Sequence, residues 1–339
     1  MKKSVFLGAL TVAGLAAGVA SAATLDDVKA RGSLNCGVTT GLVGFAAPDA
    51  NGVWEGFDVG VCRAVAAAIF GDPTAVEFVP TTGKTRFTAL ASGEIDLLAR
   101  NTTWTMSRDV DLAFEFVGVN YYDGQGFMVP KDLGVSSAKD LDGATVCIQT
   151  GTTTELNLAD FFRTNGISYE PVPIETNAEA QQQYLAGACD VYTTDASGLA
   201  ATRATFEAPG DHVLLPEIIS KEPLGPLVRH GDNDWGDIAR WTLNALITAE
   251  ELGITSANIA ELSAAATNNP EVNRILGTEG NLGEQLGLSA DWAKNAIAAG
   301  GNYGELFEKN IGESTPIGLA RGLNAMWTEG GLIYSPPFR

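Results

Sequence analysis

The chain lacks the short motifs of several common enzyme and metal-binding classes. It contains no GxSxG, HExxH or P-loop pattern, so the standard signatures of serine hydrolases, zinc proteases and nucleotide-binding loops are missing. No CxxC spacing occurs, and the two histidines, His212 and His230, lie far in sequence from every cysteine. A zinc site is therefore not expected, and the sequence indicates no metal and no cofactor.

Basic residues are scarce. The sequence has 21 Lys and Arg against 41 Asp and Glu, a formal net charge of −20. Such an acidic chain repels phosphate backbones, which argues against nucleic-acid binding. With so many acidic residues a glycosidase-type carboxylate pair stays open, but no residue pattern points to one.

The N-terminus has the three parts of a secretory signal peptide. Two lysines follow Met1, an apolar run extends from Val5 to Val19, and the small residues Ala20-Ser21-Ala22 come next. A membrane anchor, the alternative, would need about 20 apolar residues with no cleavage site after them. We expect residues 1–23 to be removed, which leaves roughly 316 residues, enough for two domains.

Four cysteines in an exported chain suggest disulfides. Cys36 and Cys62 lie early, and Cys147 and Cys189 lie in the middle of the chain. Four cysteines allow three pairings, and free buried thiols are a further alternative. The distribution favours Cys36 with Cys62 and Cys147 with Cys189, one bond in each domain.

Two successive blocks of the chain have the order strand, helix, strand, helix, strand. Predicted strands lie at 34–38, 76–80 and 95–100, then at 145–149, 167–174 and 189–193; predicted helices lie at 59–70 and 84–92, then at 152–163 and 178–186. Alternation of this kind predicts an α/β fold with a parallel sheet in each block and right-handed connections. Asp58 directly precedes the predicted helix at 59–70 and is placed to cap its N-terminus.

The two blocks also share a local pattern. Residues 90–96, LASGEID, align without a gap to residues 184–190, YLAGACD, and each is a helix end, a glycine and a strand that begins with aspartate. Carried forward, the alignment sets Asn101 against Asp195. Both blocks therefore present a polar residue at the tip of the equivalent strand.

Two extended segments, 121–129 and 223–228, could carry the chain between the blocks. A helix at 235–251 and further helices from residue 254 onward follow. Two crossings imply that the chain returns to its first lobe. The predicted organisation is lobe 1 at 24–124, lobe 2 at 125–226, and a return to lobe 1 with a C-terminal helical extension at 227–339.

The stretch 95–108, IDLLARNTTWTMSR, is the first candidate for a binding site. Its apolar run reads as a buried parallel strand, and open α/β sheets bind ligands beyond the carboxyl ends of such strands. Asn101 and Thr103 follow the run, and Arg108 offers a planar fork that matches a carboxylate. The alternative for Arg108 is a solvated surface charge.

Thr153 and Asp195 occupy the corresponding places in the second block. Thr152 and Glu155 have capping-box spacing, and a helix start after a strand can also bind an anion, with Thr153 as a contact. Asp195 could cap residues 196–204 or accept a ligand ammonium. Arg86 is a further candidate contact, and Arg100 a weaker one.

Several motifs together resemble a known family. The segments GFDVGVCRAVAAAIFGD at 56–72, RFTALASGEIDLLARNTTWTMSR at 86–108, NYYDGQGFMV at 120–129 and IQTGTTTE at 148–155 are similar to those of periplasmic amino-acid-binding proteins of polar amino acid ABC transporters. The similarity is greatest to the general L-amino-acid-binding branch, which itself resembles the binders of glutamate, glutamine, aspartate and asparagine. It covers nearly the whole mature chain.

The resemblance implies a type II periplasmic binding protein fold and specific roles for residues. By this likeness Arg108 holds the α-carboxylate with help from Thr103 and Thr153, Asp195 takes the α-ammonium, and Arg86 lies near the ligand side chain. Asn101 stands where the family often has serine. Thr39 stands where acidic-amino-acid binders have a second arginine, which indicates a broader ligand range.

The expected function is therefore capture of L-amino acids by lobe closure and delivery to an ABC permease in the inner membrane, without chemistry. We expect a periplasmic monomer. Two alternatives remain at this stage: a periplasmic enzyme similar to cyclohexadienyl dehydratase, since such enzymes share the fold, and a ligand sensor for a membrane receptor.

Overall fold

A computed structural model describes residues 23–339; the first 22 residues of the predicted leader, 1–23, lie outside the described part. The strands are β1 Leu34–Thr39, β2 Ala47–Pro48, β3 Trp54–Glu55, β4 Val76–Thr81, β5 Leu97–Leu98, β6 Phe114–Phe116, β7 Tyr121–Asp123, β8 Gln125–Pro130, β9 Ala144–Gln149, β10 Tyr169–Ile174, β11 Val191–Asp195, β12 His212–Leu214, β13 Glu222–Leu224 and β14 Leu227–Arg229.

Helices cover the sheets, and six of them lie in the C-terminal third. The α-helices are α1 Thr24–Arg31, α2 Phe57–Phe70, α3 Arg86–Ser92, α4 Thr153–Asn165, α5 Asn177–Leu185, α6 Ala196–Ala204, α7 Asn233–Glu251, α8 Ile259–Leu262, α9 Pro270–Ile275, α10 Leu282–Gln285, α11 Trp292–Gly300 and α12 Tyr303–Asn310. In the part of the chain described, no helix is long and apolar enough to cross a membrane.

Two five-stranded sheets organise the molecule. The first, in the order β4-β1-β5-β14-β6, is the core of what we call lobe 1, and the second, β10-β9-β11-β8-β12, is the core of lobe 2. The strands predicted from each repeated block pair in parallel, as expected. The prediction omitted the antiparallel strands, β14 and β6 in one sheet and β8 and β12 in the other.

The internal repeat is visible in equivalent hydrogen bonds. The Asp96 carboxylate accepts the backbone N–H of Asn35 at 2.8 Å in lobe 1, and the Asp190 carboxylate accepts that of Thr145 at 2.9 Å in lobe 2. In each lobe the aspartate immediately before the central strand ties that strand to the neighbouring one. The alignment of residues 90–96 with 184–190 therefore reflects the same local construction.

Lobe 1 has the larger core because the C-terminal helices pack on it. Helix α11 lies against α2, and α7 contacts both. Alanines on α2 and α11, such as Ala64 and Ala296, are buried, so the two helices approach closely. The residues from α8 onward thus add a layer to lobe 1.

Asp58 does not cap α2 as predicted. The N-cap is Gly56, and no side chain caps the helix. Asp58 is instead a buried residue of the first turn, whose carboxylate accepts the backbone N–H of Asn101 at 3.3 Å. Burial raises the pKa of Asp58 to about 6.

The cysteines pair as their distribution favoured. Cys36 on β1 bonds Cys62 on α2, with Cα atoms 6.1 Å apart, and Cys147 on β9 bonds Cys189, with Cα atoms 5.6 Å apart. Each bond ties the parallel part of one sheet to a neighbouring segment. One disulfide therefore strengthens each lobe.

A two-stranded antiparallel ribbon, β7 with β13, lies between the two sheets. We call it the hinge ribbon. The C-terminal tail reaches its free edge: the side-chain amide of Asn324 accepts the N–H of Tyr122 at 2.7 Å and donates to the carbonyl of Tyr122 at 3.1 Å. These two bonds replace those that a neighbouring strand would make. Asn324 is 3% exposed, so water does not compete for them.

Replacing Asn324 with alanine should lower the free energy of unfolding by about 1 to 2 kcal/mol, because it leaves the Tyr122 N–H and carbonyl without partners. Urea unfolding followed by circular dichroism measures this loss. Asn165→Ala is the matched control, since Asn165 makes one exposed hydrogen bond within its own helix. Equal stability of the two variants would contradict the proposed contribution of Asn324.

Candidate ligand-binding site

A pocket, here called the cleft, lies between the two lobes. Its lining residues are Thr39, Leu42, Arg86, Arg100, Asn101 and Thr103 from lobe 1, and Gln149, Thr152, Thr153, Thr154, Asn177, Thr194, Asp195 and Gly198 from lobe 2. Thr39, Gln149 and Asp195 are the last residues of β1, β9 and β11. The cleft is therefore at the carboxyl ends of the parallel strands of both sheets, where open α/β folds bind ligands.

The cleft is closed at its rim by contacts between the lobes. Lys84 forms an ion pair with Glu175 at 2.7 Å, and the Asn177 amide donates to the carbonyl of Gly41 at 3.3 Å. Gly83 lies so near lobe 2 that a Cβ atom there would be 2.7 Å from the carbonyl oxygen of Thr150. A side chain at residue 83 would therefore hold the lobes apart.

Five of the six predicted ligand contacts lie on the surface of this cleft: Arg86, Asn101, Thr103, Thr153 and Asp195. Arg108 lies next to it. The side chain of Arg108 is buried, its Nη1 donates to the backbone carbonyl of Thr103 at 2.8 Å, and its guanidinium is 5.1 Å from the ring centre of Phe87. The alternative of a solvated surface charge at Arg108 is wrong.

Three buried arginines converge on the lobe 1 side. Arg86, Arg100 and Arg108 are 2%, 7% and 6% exposed, and none forms an ion pair with a carboxylate of residues 23–339. Their hydrogen bonds are to neutral groups, such as Arg86 to the Thr102 hydroxyl and Arg100 to the Thr81 carbonyl, both at 3.2 Å. The Nε of Arg86 is buried and has no hydrogen-bond partner in the described part of the chain.

This cluster of positive charges favours an anion. Burial is the main reason that the pKa of each of the three arginines is lowered, and the pKa of Arg100 falls to about 10, so it remains charged at neutral pH. An uncompensated buried cation is costly unless an anion pairs with it. A bound carboxylate would supply that anion and could accept bidentate hydrogen bonds from a guanidinium.

Asp195 faces the arginines from lobe 2. It occupies the N-cap position of α6, but its side chain makes no capping hydrogen bond, so the predicted capping role is wrong. Its carboxylate accepts no hydrogen bond from the residues described. Burial, followed by the nearby carboxylates of Asp123 and Glu222, raises the pKa of Asp195 above its usual range.

The start of α4 has half of the predicted capping box. The Thr152 hydroxyl accepts the N–H of Glu155 at 3.3 Å, as expected. The Glu155 carboxylate, however, accepts the N–H of Gly151 at 3.0 Å rather than that of Thr152. Thr152 is thus engaged in capping, and Thr153, the first helical residue, lines the cleft.

The sequence reasoning missed Glu222. This residue begins the hinge-ribbon strand β13, is 1% exposed and accepts hydrogen bonds from the hydroxyls of Thr103 at 2.5 Å and Thr153 at 2.9 Å. The available signal was a single charged residue beside the apolar crossing predicted at 223–228. A charged residue next to an apolar segment lies either at the exposed end of the segment or buried in a binding site. The sequence alone does not distinguish these two positions.

Residues 34–258 match the family of bacterial extracellular solute-binding proteins, family 3. The chain belongs to this family. The predicted fold is confirmed, and this solute-binding protein has the two-lobed type II periplasmic binding protein architecture. Residues 259–339, which contain most of the C-terminal helices and Asn324, lie beyond the family match.

The relatives of this solute-binding protein include the glutamate/glutamine/aspartate/asparagine-binding protein BztA of Rhodobacter capsulatus, 68% identical over 100% of both chains. The general L-amino acid-binding periplasmic protein AapJ of Rhizobium johnstonii is 58% identical, also over 100% of both. A Brucella ovis ABC transporter periplasmic binding protein, solved with glutathione bound, is 56% identical with a TM-score of 0.91 over 94% of this chain and 100% of its own. These relatives are named as binding proteins, which does not favour the dehydratase alternative.

Proposed function

We propose that this protein captures polar L-amino acids in the periplasm, closes its two lobes around them and delivers them to an ABC permease in the inner membrane. The observation that carries the proposal is the charge arrangement of the cleft. Within residues 23–339, buried arginines without an anionic partner lie on one side, and Asp195, a carboxylate without a hydrogen-bond partner, lies on the other. An α-amino acid has the complementary groups, an anionic carboxylate and a cationic ammonium, attached to the same carbon atom.

In this proposal the two lobes divide the recognition of the ligand. Arg108, with Thr103 and Thr153 beside it, attracts the α-carboxylate, and Asp195 accepts the α-ammonium. Arg86 and Asn101 face the remaining part of the ligand. Because the partners lie on different lobes, the ligand stabilises the closed form, which is the form that a permease can distinguish from the open one.

The ligand range we propose is broad and polar, including glutamate, glutamine, aspartate and asparagine. The name of the R. capsulatus relative specifies these four amino acids, and the B. ovis relative holds glutathione, whose γ-glutamyl end is itself an α-amino acid. Thr39, a small residue on the cleft surface, leaves space that a second arginine would fill.

The lobe boundaries and the location belong to the same proposal. We infer that residues 1–23 are a signal peptide, that lobe 1 comprises 24–124 and 227–339, and that lobe 2 comprises 125–226. The periplasmic relatives support export of this chain. We also infer that the protein acts as a monomer, with no nucleic acid among its partners.

Isothermal titration calorimetry with purified mature protein tests the function. We expect one-to-one binding of L-glutamate and L-glutamine and recovery of the unaltered amino acid, whereas agmatine and other amines without a carboxylate should not bind. Turnover of prephenate or arogenate would favour the enzyme alternative. Comparable binding of the amines would contradict recognition through the carboxylate.

A further inference from the structure

We propose that Glu222 determines how strongly the cleft prefers an acidic ligand side chain over the corresponding amide. This inference rests on the proposed function, since it concerns the ligands of the same cleft. It assigns to Glu222 an electrostatic role from directly behind Thr103 and Thr153, because Glu222 itself is not on the cleft surface.

Glu222 is held in place by donors from both lobes. Its Oε2 accepts the hydroxyls of Thr103 and Thr153, and its Oε1 accepts the Asn157 amide at 2.7 Å and the Ser220 hydroxyl at 2.6 Å. The residue is 1% exposed, so water does not compete for these bonds. All four partners present hydrogens to it, which is the arrangement that an acceptor-only carboxylate requires.

The hydroxyl hydrogens of the two threonines are therefore directed away from the ligand. A threonine hydroxyl has one hydrogen and two acceptor lone pairs. When Thr103 and Thr153 donate to Glu222, each offers only lone pairs to the cleft. Because Thr103 and Thr153 flank the proposed α-carboxylate position, which glutamate and glutamine share, this orientation affects both ligands alike and leaves the selectivity to the charge of Glu222.

The charge of Glu222 discriminates between the two ligands. Its carboxylate is one hydroxyl away from the cleft surface, and it offsets part of the positive charge of Arg86 and Arg108. In a buried site, removing one such negative charge makes the potential more positive and increases the attraction for an anion. An ionised glutamate or aspartate side chain would gain from this change, and a glutamine or asparagine side chain would not.

Other carboxylates near the cleft have different contacts. Asp195 lies on the surface as the proposed partner of the ligand ammonium. Asp123 is bound by the hydroxyl of Ser197 and by the backbone N–H of Gly124. Among the residues described, Glu222 is the carboxylate that contacts both threonines of the cleft.

The test is Glu222→Gln, with dissociation constants for L-glutamate and L-glutamine measured by calorimetry. We expect the selectivity, the dissociation constant of glutamine divided by that of glutamate, to rise about tenfold over wild type. Glu217→Gln is the matched control. It makes the same charge change in contact with Ser137 and Ala138, away from the cleft, and should leave the selectivity within about twofold of wild type.

An unchanged or lower selectivity in a folded Glu222→Gln variant would overturn the inference, because a purely structural role would weaken both ligands equally. If that variant does not fold, Glu222→Asp retains the charge but withdraws it from the threonines, and the selectivity should rise about two- to threefold. No rise in this second variant would also overturn the inference. If wild-type protein binds neither amino acid, the proposed function itself fails.

Discussion

Arg108→Ala is expected to abolish detectable binding of all L-amino acids, whereas Arg86→Ala should weaken the acidic ones selectively. Hydrogen bonds to charged groups contribute about 1.5 to 3 kcal/mol each, so losing a bidentate carboxylate contact should reduce affinity about 100-fold or more. Every α-amino acid has the α-carboxylate assigned to Arg108. Only acidic side chains have the second carboxylate that Arg86 would bind.

Calorimetry of both variants with glutamate, glutamine, aspartate and asparagine separates these two effects. Arg163→Ala is the control, because Arg163 is an exposed residue of lobe 2 that pairs only with Asp160. Thermal unfolding of Arg108→Ala should remain close to that of wild type, since the side chain makes one hydrogen bond to the protein. If Arg108→Ala binds amino acids normally, the α-carboxylate must instead be held by the arginines on the cleft surface, Arg86 and Arg100.

Asp195→Asn should weaken binding of L-glutamate and L-glutamine alike by about 100-fold or more. Removing one partner of a buried charge pair costs about 2 to 5 kcal/mol, much of it from leaving the other charge, here the ligand ammonium, without a counter-ion. Asp190→Asn is the matched control, because Asp190 precedes the same strand and accepts its hydrogen bonds from Thr145. The control should lose stability and retain affinity. Equal affinity of the two variants would contradict the assignment of the ammonium to Asp195.

The same substitution should not destabilise the ligand-free protein. The pKa of Asp195 in the folded state is raised above its usual value, mainly by burial, so its ionised form opposes folding. Asparagine removes that charge, and the unfolding free energy at neutral pH should equal or exceed that of wild type.

Wild-type ligand affinity should fall as the pH is lowered through the raised pKa of Asp195, because protonated Asp195 no longer attracts the ammonium. Chemical unfolding without ligand, and calorimetry over a series of pH values from acidic to neutral, measure these two effects.

Local sequence patterns predicted the parallel strands of the two sheets, because such patterns depend on residues that are neighbours in sequence. The helix ends, the glycines that follow them and the aspartates Asp96 and Asp190 are all properties of short segments, and the structure has them in equivalent places. The error at Asp58 has a physical reason. An aspartate near a helix start is usually a cap, but here it is buried, and its carboxylate accepts a hydrogen bond from Asn101, a residue distant in sequence.

The antiparallel strands could not be obtained from the repeated blocks. Strand β8 follows ribbon strand β7, and strand β14 follows ribbon strand β13. The positions of β8 and β14 in the sheets therefore depend on where the chain crosses between the lobes. The disulfide pairing was favoured by distribution alone, while its confirmation came from Cα distances that no spacing rule provides.

The sequence by itself determined the acidic charge, the doubled α/β pattern and most of the polar residues at strand ends, because these follow from composition and periodicity. Only the tertiary structure determined which charged and polar residues lie close to one another. It placed Arg108 beside the cleft rather than on its surface, left Asp195 without a capping bond, and brought Glu222 from the hinge ribbon into contact with Thr103 and Thr153, 119 and 69 residues away. Such contacts depend on how the two lobes close, and closure is a long-range property that local sequence does not encode.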